Sequence, residues 1–300
     1  DVLANGYRGY PIQKRKETHY PKMYTAQVVD VISGIVVDFK QASVNQEVIV
    51  AREMARNLEK NSITIYDRLH CGYLTAKGHF EDGSYFLIRV KSKNLKNPIE
   101  VKNFCQSKKR SRWIDLGPNL ILQKKDPNLL KLKVRLVKVY NPRSQEDIVL
   151  MTNILETKFT DQELGELYQR RWGIESSFKD LTSTLKMNQW HSHKINSILQ
   201  EIYALFWLVN QVRIQIAQMV DVRRWLGREY QKANFKFCIH LVVDNMTDLV
   251  RGRTKQLQRE LIYWLLRSVE KRTHLSRNYP RQLKRFGKKY PNASKVQRRP

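Results

Sequence analysis

Carboxylates are scarce in this chain: 28 Asp and Glu stand against 55 Lys and Arg, a formal net charge of +27 over 300 residues. Such an excess repels itself in a compact state, so a polyanion, nucleic acid first, is the expected partner. It argues against a metabolite enzyme, and no isolated basic amphipathic helix points to a membrane surface. Cysteine is scarce too. Cys71, Cys105 and Cys238 lie far apart, with neither the CxxC spacing of a zinc site nor a disulfide framework, and suit a reducing compartment. The seven histidines include His191-x-His193 but no HExxH or zinc-finger spacing. There is no signal-peptide pattern and no apolar run long enough to span a bilayer. The stretch Ile202 to Val212 is interrupted by Asn210 and Gln211 and reads as a buried helix. Internal repeats are absent. The chain opens on Asp1 rather than methionine, which predicts a segment of a longer protein.

Apolar residues, at 41%, suffice to bury a core in one large domain or two moderate ones. Residues 1–21 read as loop, with Gly6, Gly9, Pro11 and Pro21 around Lys14-Arg15-Lys16. Met23 to Ile32 reads as a strand, Ser33-Gly34 as a hairpin turn and Ile35 to Phe39 as the return strand. Asn45 to Glu59 carries Val48, Ala51, Met54, Ala55 and Leu58 at helical spacing. Ser62 to Asp67 is a short strand ending on an aspartate, and Gly83 to Val90 is another. From Lys91 to Tyr140, alternating runs such as Leu130 to Val137 predict antiparallel strands with a basic outer face. Ile148 to Thr152 reads as a strand of the main sheet. Thr160, with Glu163 behind it, marks a helix start, and the remainder is mostly helical. The last 30 residues hold 11 Lys or Arg and no acid, a basic, extended tail. This order predicts an α/β layer fold, a mixed sheet flanked by helices.

The most informative stretch runs from Leu167 to Lys179. On a helix it places Tyr168, Arg171, Glu175, Lys179 and Thr182 in one polar stripe. Leu164, Leu167, Ile174, Phe178, Leu181 and Leu185 form an apolar stripe beside it. A carboxylate between an arginine and a lysine suits a metal ion held near a phosphate, and an ordinary ion-paired amphipathic helix has the same spacing. Asp67, followed by Arg68, ends a predicted strand, where open α/β sheets place their sites. Two carboxylates brought together stay ionised cheaply only beside a cation. Oxygen ligands favour Mg²⁺ or Mn²⁺. Two such ions about 3.5–4 Å apart clamp the attacking and leaving oxygens of a phosphodiester displacement. That chemistry needs a third carboxylate ahead of the first hairpin strand, where only Asp1 and Glu17 stand. Asp30 and Asp38 read as strand-end or edge carboxylates.

Taken together, Tyr168-x-x-Arg171-x-x-x-Glu175, Ile65-Tyr66-Asp67-Arg68, Tyr20-Pro21 before the Val28–Val31 strand with Asp38-Phe39, Gln200-Glu201-Ile202-Tyr203-Ala204 and Tyr279-Pro280-Arg281 resemble the IS4 family of DDE transposases. The resemblance covers roughly residues 7–220. It implies an RNase H-like mixed sheet flanked by helices, with a β-rich insertion before the helix of the catalytic glutamate. Residues 1–90 and 148–220 would be the two parts of the catalytic domain, 91–147 the insertion, and 221–300 a helical, basic C-terminal region and tail. By the same resemblance Asp1, Asp67 and Glu175 are the catalytic carboxylates and hold two Mg²⁺ or Mn²⁺ ions. Arg68, Tyr168, Arg171, Lys179 and Lys186 contact DNA, where related enzymes stabilise a hairpin with a flipped base. The implied activity is cut-and-paste hydrolysis and strand transfer at transposon ends, by a homodimer on double-stranded DNA in a bacterial cytoplasm, at the nucleoid.

The sequence departs from the family twice. Thr182 stands where the signature has lysine, with Lys179 and Lys186 a helical turn to either side. The Gly-Tyr that follows Asp-Arg in the family is displaced to Gly72-Tyr73. Trp172 and Trp190 read either as core or as stacking surfaces, and His191 and His193 as a surface turn or a DNA contact. Lys108-Lys109-Arg110 and Lys124-Lys125 read as phosphate contacts or plain solvated surface. Three other readings remain open: another RNase H-like nuclease, a decayed transposase kept as a DNA-binding protein, and a basic nucleic-acid-binding module of unrelated fold.

Overall fold

Strands whose neighbouring residues face opposite ways build the centre of the molecule. The structure is a computed structural model that describes residues 24–42, 46–92, 97–141, 145–185, 191–192, 194–225, 233–251, 259–260, 262–264 and 267. The hairpin β1 (Tyr24–Val29) and β2 (Val36–Ala42) forms a two-stranded sheet of its own. The main sheet has five strands: β3 (Ile63–Tyr66), β4 (Tyr85–Arg89), β5 (Ser111–Leu116), β6 (Leu132–Asn141) and β7 (Glu146–Thr152). Their order is β3-β4-β7-β6-β5, with β3 parallel to β4 and the other pairs antiparallel. The two strands from the 91–147 segment therefore continue the main sheet through β7 rather than standing apart from it.

Both faces of this sheet are covered, as the near-continuous apolar runs of β4 and β7 allow. Phe86, Ile88, Val134, Leu136, Val149 and Met151 face one way, against α2 (Tyr73–Asp82) and α3 (Ile99–Gln106). Leu87, Val137, Val139, Ile148 and Leu150 face the other way, against α5 (Asp161–Gln169). The basic outer face expected for the 130–137 run is thereby corrected at its centre. Arg135 is 1% exposed because α5 and the loop before it roof over that face. Its guanidinium bonds Phe159 O at 3.0 Å, ion-pairs with Asp161 and lies 3.3 Å from Glu156.

The hairpin packs elsewhere. Val50 and Met54 of α1 (Glu47–Arg56) meet Ala26 and Val28, while Ala55 of the same helix joins the main core. On its other side Val29, Val36 and Phe39 meet Ile198, Ile202, Phe206 and Val209 of the long α7 (Ile195–Trp225). The Asn210 side chain brackets Val36 with two 2.8 Å hydrogen bonds, taking the place of a further strand residue. Asp30 caps the hairpin turn through the amides of Ile32 and Ser33. Gly34 closes that turn at φ +76°, hard against Arg213. α8 (Phe235–Asp244) and α9 (Met246–Val250) follow, α8 packing on α7 around Val212, Cys238 and Val242. Among the described residues no helix is long and apolar enough to cross a membrane.

Beneath the end of β3 lies a buried polar relay. The Tyr66 hydroxyl is 3.0 Å from His79 Nε2, and the Ser84 hydroxyl 2.7 Å from His79 Nδ1. Hydroxyls donate or accept, so either neutral tautomer of His79 is satisfied. Burial lowers its pKa to about 4. The unfolded chain binds this proton below about pH 6.5, and the folded chain does so only near pH 4. Stability should therefore fall as pH drops through that window, by roughly 3 kcal/mol in all, with no contribution from His79 above it. Urea unfolding at about pH 7 and about pH 4.5 measures this. The loss should shrink in His79→Gln; an equal loss in that variant would place the effect in other groups.

Candidate active site and nucleic-acid cleft

The helix expected to run through Glu175 is two helices. α5 ends at Gln169, and α6 (Trp172–Lys179) begins after a tightened turn. In that turn Arg171 N bonds Tyr168 O at 3.1 Å and Gly173 N bonds Arg170 O at 2.9 Å. Beyond α6 a π-helical turn spans Asp180–Thr184. The break splits the apolar stripe between two cores: Leu164 and Leu167 meet the main sheet, whereas Ile174, Leu181 and Leu185 meet the hairpin and α7. It also corrects the polar stripe. Tyr168 turns its ring into the sheet core, leaving Glu175 exposed and Arg171 largely covered between them. Burying a large ring against Val139, Ile148 and Leu150 outweighs keeping it on a polar face.

α5 lies close on β6. A Cβ on Gly165 would stand 3.2 Å from Val139 Cβ, so the glycine sets how near α5 approaches the sheet. The C-terminal end of α5 and the start of α6 then border an open cleft with the ends of β4, β6 and β7. Its lining includes Arg89, Tyr140, Asn141, Gln169, Arg171 and Trp172. Trp172 is 39% exposed, so of its two readings, core and stacking surface, the structure departs from core. The Arg171 guanidinium sits 5.4 Å from the Trp172 ring and 5.9 Å from the Tyr168 ring, and donates to Glu175 Oε1 at 3.0 Å. Its Nε is buried without a hydrogen-bond partner among the described residues.

Asp67 follows β3 directly and caps the short 3₁₀ turn Arg68–His70, its Oδ1 accepting from Leu69 N at 2.7 Å. The parallel register pairs Tyr66 with Ile88, which puts Asp67 beside Arg89. Burial pushes the Tyr168 phenol up, Arg171 and Arg89 oppose the rise, and the Asp67 carboxylate adds to it. Asp67, Arg89 and Arg171 thus all act on the Tyr168 phenol, and Arg171 also pairs with Glu175. His70 stands 3.9 Å from Asp67 Oδ1 and stacks on Tyr66. Burial lowers its pKa, against the pull of Asp67 and Glu47. Arg68 is exposed.

Asp67 and Glu175 each keep 47% of the side chain exposed. The hydrogen bonds from Leu69 N and Arg171 go to one oxygen of each, Asp67 Oδ1 and Glu175 Oε1. Hard oxygen donors, half hydrated and surrounded by cations, fit Mg²⁺ or Mn²⁺ rather than a soft metal. Among the described residues no three His, Cys, Asp or Glu side chains are grouped closely enough to hold a metal ion. Asp1, the third expected carboxylate, lies outside the described residues, as do Lys186, Trp190, His193 and the basic tail. Lys179 closes α6. Thr182, at the family's lysine position, donates to Phe178 O at 2.7 Å. His191 lies exposed in a turn held by the Glu201 carboxylate, which accepts from the amides of His191 and Ser192. Sequence reasoning passes over Arg89, Tyr140 and Gln169. Arg89 ends the strand beside β3, so the same strand-end rule that selects Asp67 would have found it. Tyr140 and Gln169 carry no sequence signal of their own.

Residues 4–211 match the family described as Transposase DDE domain. The chain is also similar to the transposase InsG for insertion sequence element IS4 of Escherichia coli strain K12. The two are 24% identical over 260 residues, which covers 84% of this chain and 57% of that protein's length.

Proposed function

Since the chain belongs to the transposase DDE-domain family, we propose that it is a metal-dependent DNA transposase, cutting phosphodiester bonds at transposon ends and joining the freed strands to target DNA. What supports this reading is that Arg89, Tyr168 and Arg171 line one cleft, that the Asp67 carboxylate acts on the Tyr168 phenol, and that Arg171 pairs with Glu175. The β3–β4 parallel pair, with helices on both faces of the sheet, supports an RNase H-like catalytic unit. In that reading residues 1–90 and 148–220 form the unit, 91–147 are inserted, and 221–300 form a basic extension. A homodimer on paired DNA ends belongs to the same proposal.

Asp67, Glu175 and Asp1 would hold two Mg²⁺ or Mn²⁺ ions, which when bound activate water and neutralise charge on the phosphate. The protein's own groups orient the strand. Arg89 and Arg171 present planar donors to phosphate oxygens, and Arg171 is held in place by Glu175 and the Trp172 face. The exposed rings of Trp172 and Tyr140 offer stacking surfaces to an unpaired base.

Purified protein mixed with a supercoiled plasmid carrying the DNA that flanks its own gene should nick that DNA only with Mg²⁺ or Mn²⁺. Asp67→Asn should abolish the nicking and keep the binding. A decayed, DNA-binding transposase is the second reading, favoured by Thr182, whose hydroxyl is spent on the backbone. Tight binding by the unaltered protein without cleavage under either metal would establish it.

A further inference from the structure

In the β5–β6 connection, Leu120 is 77%, Ile121 68% and Leu130 78% exposed. The connection is not loose. Asn119 caps α4 (Leu120–Lys125) by accepting from Leu122 N at 2.9 Å. Asp126 accepts from Asn128 N at 3.1 Å, and the Tyr73 hydroxyl donates to Leu130 O at 2.6 Å. Leu122, Leu129 and Leu132 turn inward onto the core. With those three pointing in, Leu120, Ile121 and Leu130 are held outward. The same connection and its flanks carry Lys124, Lys125, Lys131 and Lys133, all exposed, against the carboxylates of Asp126 and of Asp115, which faces Lys133 across the β5–β6 pair.

Rigidly presented aliphatic side chains in a lysine-rich connection match a duplex groove, where ammonium groups meet phosphates and apolar side chains press on sugars and base edges. A second copy of this equally basic chain would set lysine against lysine. The place in the fold adds a length. β6 runs from this tip to the cleft, where Val139, Tyr140 and Asn141 line its far end. Nine residue steps of strand are about 30 Å, close to the about 34 Å of one turn of B-form DNA. Lys133 also projects from the same face of β6 as Val139 and Asn141, by the strand's alternation.

We propose that the α4 tip is a second duplex-binding surface, which grips double-stranded DNA one helical turn from the cleft, lysines on the phosphates and Leu120 and Ile121 against the groove. The inference rests on DNA being the partner of the cleft, but not on the cleft being catalytic.

The test compares binding of a hairpin-closed duplex of roughly 6 base pairs, about 20 Å long and too short to reach from the cleft to the tip, with binding of a duplex of roughly 22 base pairs, two helical turns. A variant with Lys124, Lys125, Lys131 and Lys133 all changed to Ala should bind the longer duplex about 10–100-fold more weakly, with a salt slope lower by roughly 0.9 per lost phosphate contact. Much of the advantage of the longer duplex should vanish with it. Leu120→Ser with Ile121→Ser should weaken binding to the longer duplex several-fold and leave the salt slope alone, because no charge is removed. All six positions are solvent-facing, and an unchanged melting temperature checks that the variants fold. Unchanged affinity for the longer duplex in the lysine variant overturns the proposal. So does a sedimentation result in which the double serine variant loses a dimer while DNA affinity stays the same, since the tip would then be a protein–protein surface. If binding falls as expected but no preparation cuts DNA, the tip stands and the enzymatic reading fails; cutting with an indifferent tip gives the reverse.

Discussion

Glu175→Ala should abolish metal-dependent DNA cleavage, by at least about 10³-fold, while the protein stays folded and bound to DNA. The three parts of that result have separate causes. Glu175, itself half exposed, pairs with Arg171 four residues back, whose side chain is mostly covered. Such pairs contribute only about 0.3–0.5 kcal/mol, and alanine favours a helix, so the melting temperature should hardly move. Removing a carboxylate from a cationic cleft takes repulsion away from phosphate, so DNA affinity should hold or rise. Only the loss of a metal-ligating oxygen predicts a collapse of cleavage with binding intact. Gel-shift and plasmid-nicking assays on one preparation decide it: cleavage at the unaltered rate would remove Glu175 from the chemistry.

The second large effect concerns stability. Arg135→Ala should destabilise the fold by about 2–4 kcal/mol. The guanidinium is buried and joins β6 to Phe159 O, Asp161, Glu156 and Ser111. Glu156 also accepts from Trp113 Nε1 at 2.7 Å, so one carboxylate ties β5 into the same knot. The estimate sits below a fully buried pair because Glu156 and Asp161 remain partly exposed and regain water when the arginine goes. Arg135→Lys should recover only part of the loss, since a single ammonium does not replace a planar fork with several donors. Urea unfolding of the three proteins measures this, and a loss under about 0.5 kcal/mol for the alanine variant would contradict it. Because Asp161 begins the helix that carries Tyr168 at its far end, the same variant should loosen the cleft as well.

Local pattern made much of the secondary structure legible. The Ser33-Gly34 turn, the short apolar runs of β4 and β7, the alternation that opens β6, and the Thr160–Glu163 capping box all act over a few residues, and each appears close to where the sequence places it. α2 gives no such signal: its apolar pattern is weak, and it is held instead by Tyr73, Ala76 and the His79 relay packing under the sheet. Periodicity also implies one helix from Thr160 to Leu185. The structure shows a break at Arg170–Arg171, because the apolar positions before and after it answer to different cores.

What the sequence determined by itself is the chemistry on offer: a cationic chain, a carboxylate at a strand end, and a Tyr-Arg-Glu run that carries the family resemblance. These are properties of residue types and short spacings. The tertiary structure alone decided that Arg135 is buried and Trp172 is not, that Tyr168 belongs to the core, that Arg89 joins the cleft, and that a lysine-rich apolar tip stands one β6 length away. Each depends on which surfaces the chain brings together across long separations, and no local spacing encodes what will cover a side chain.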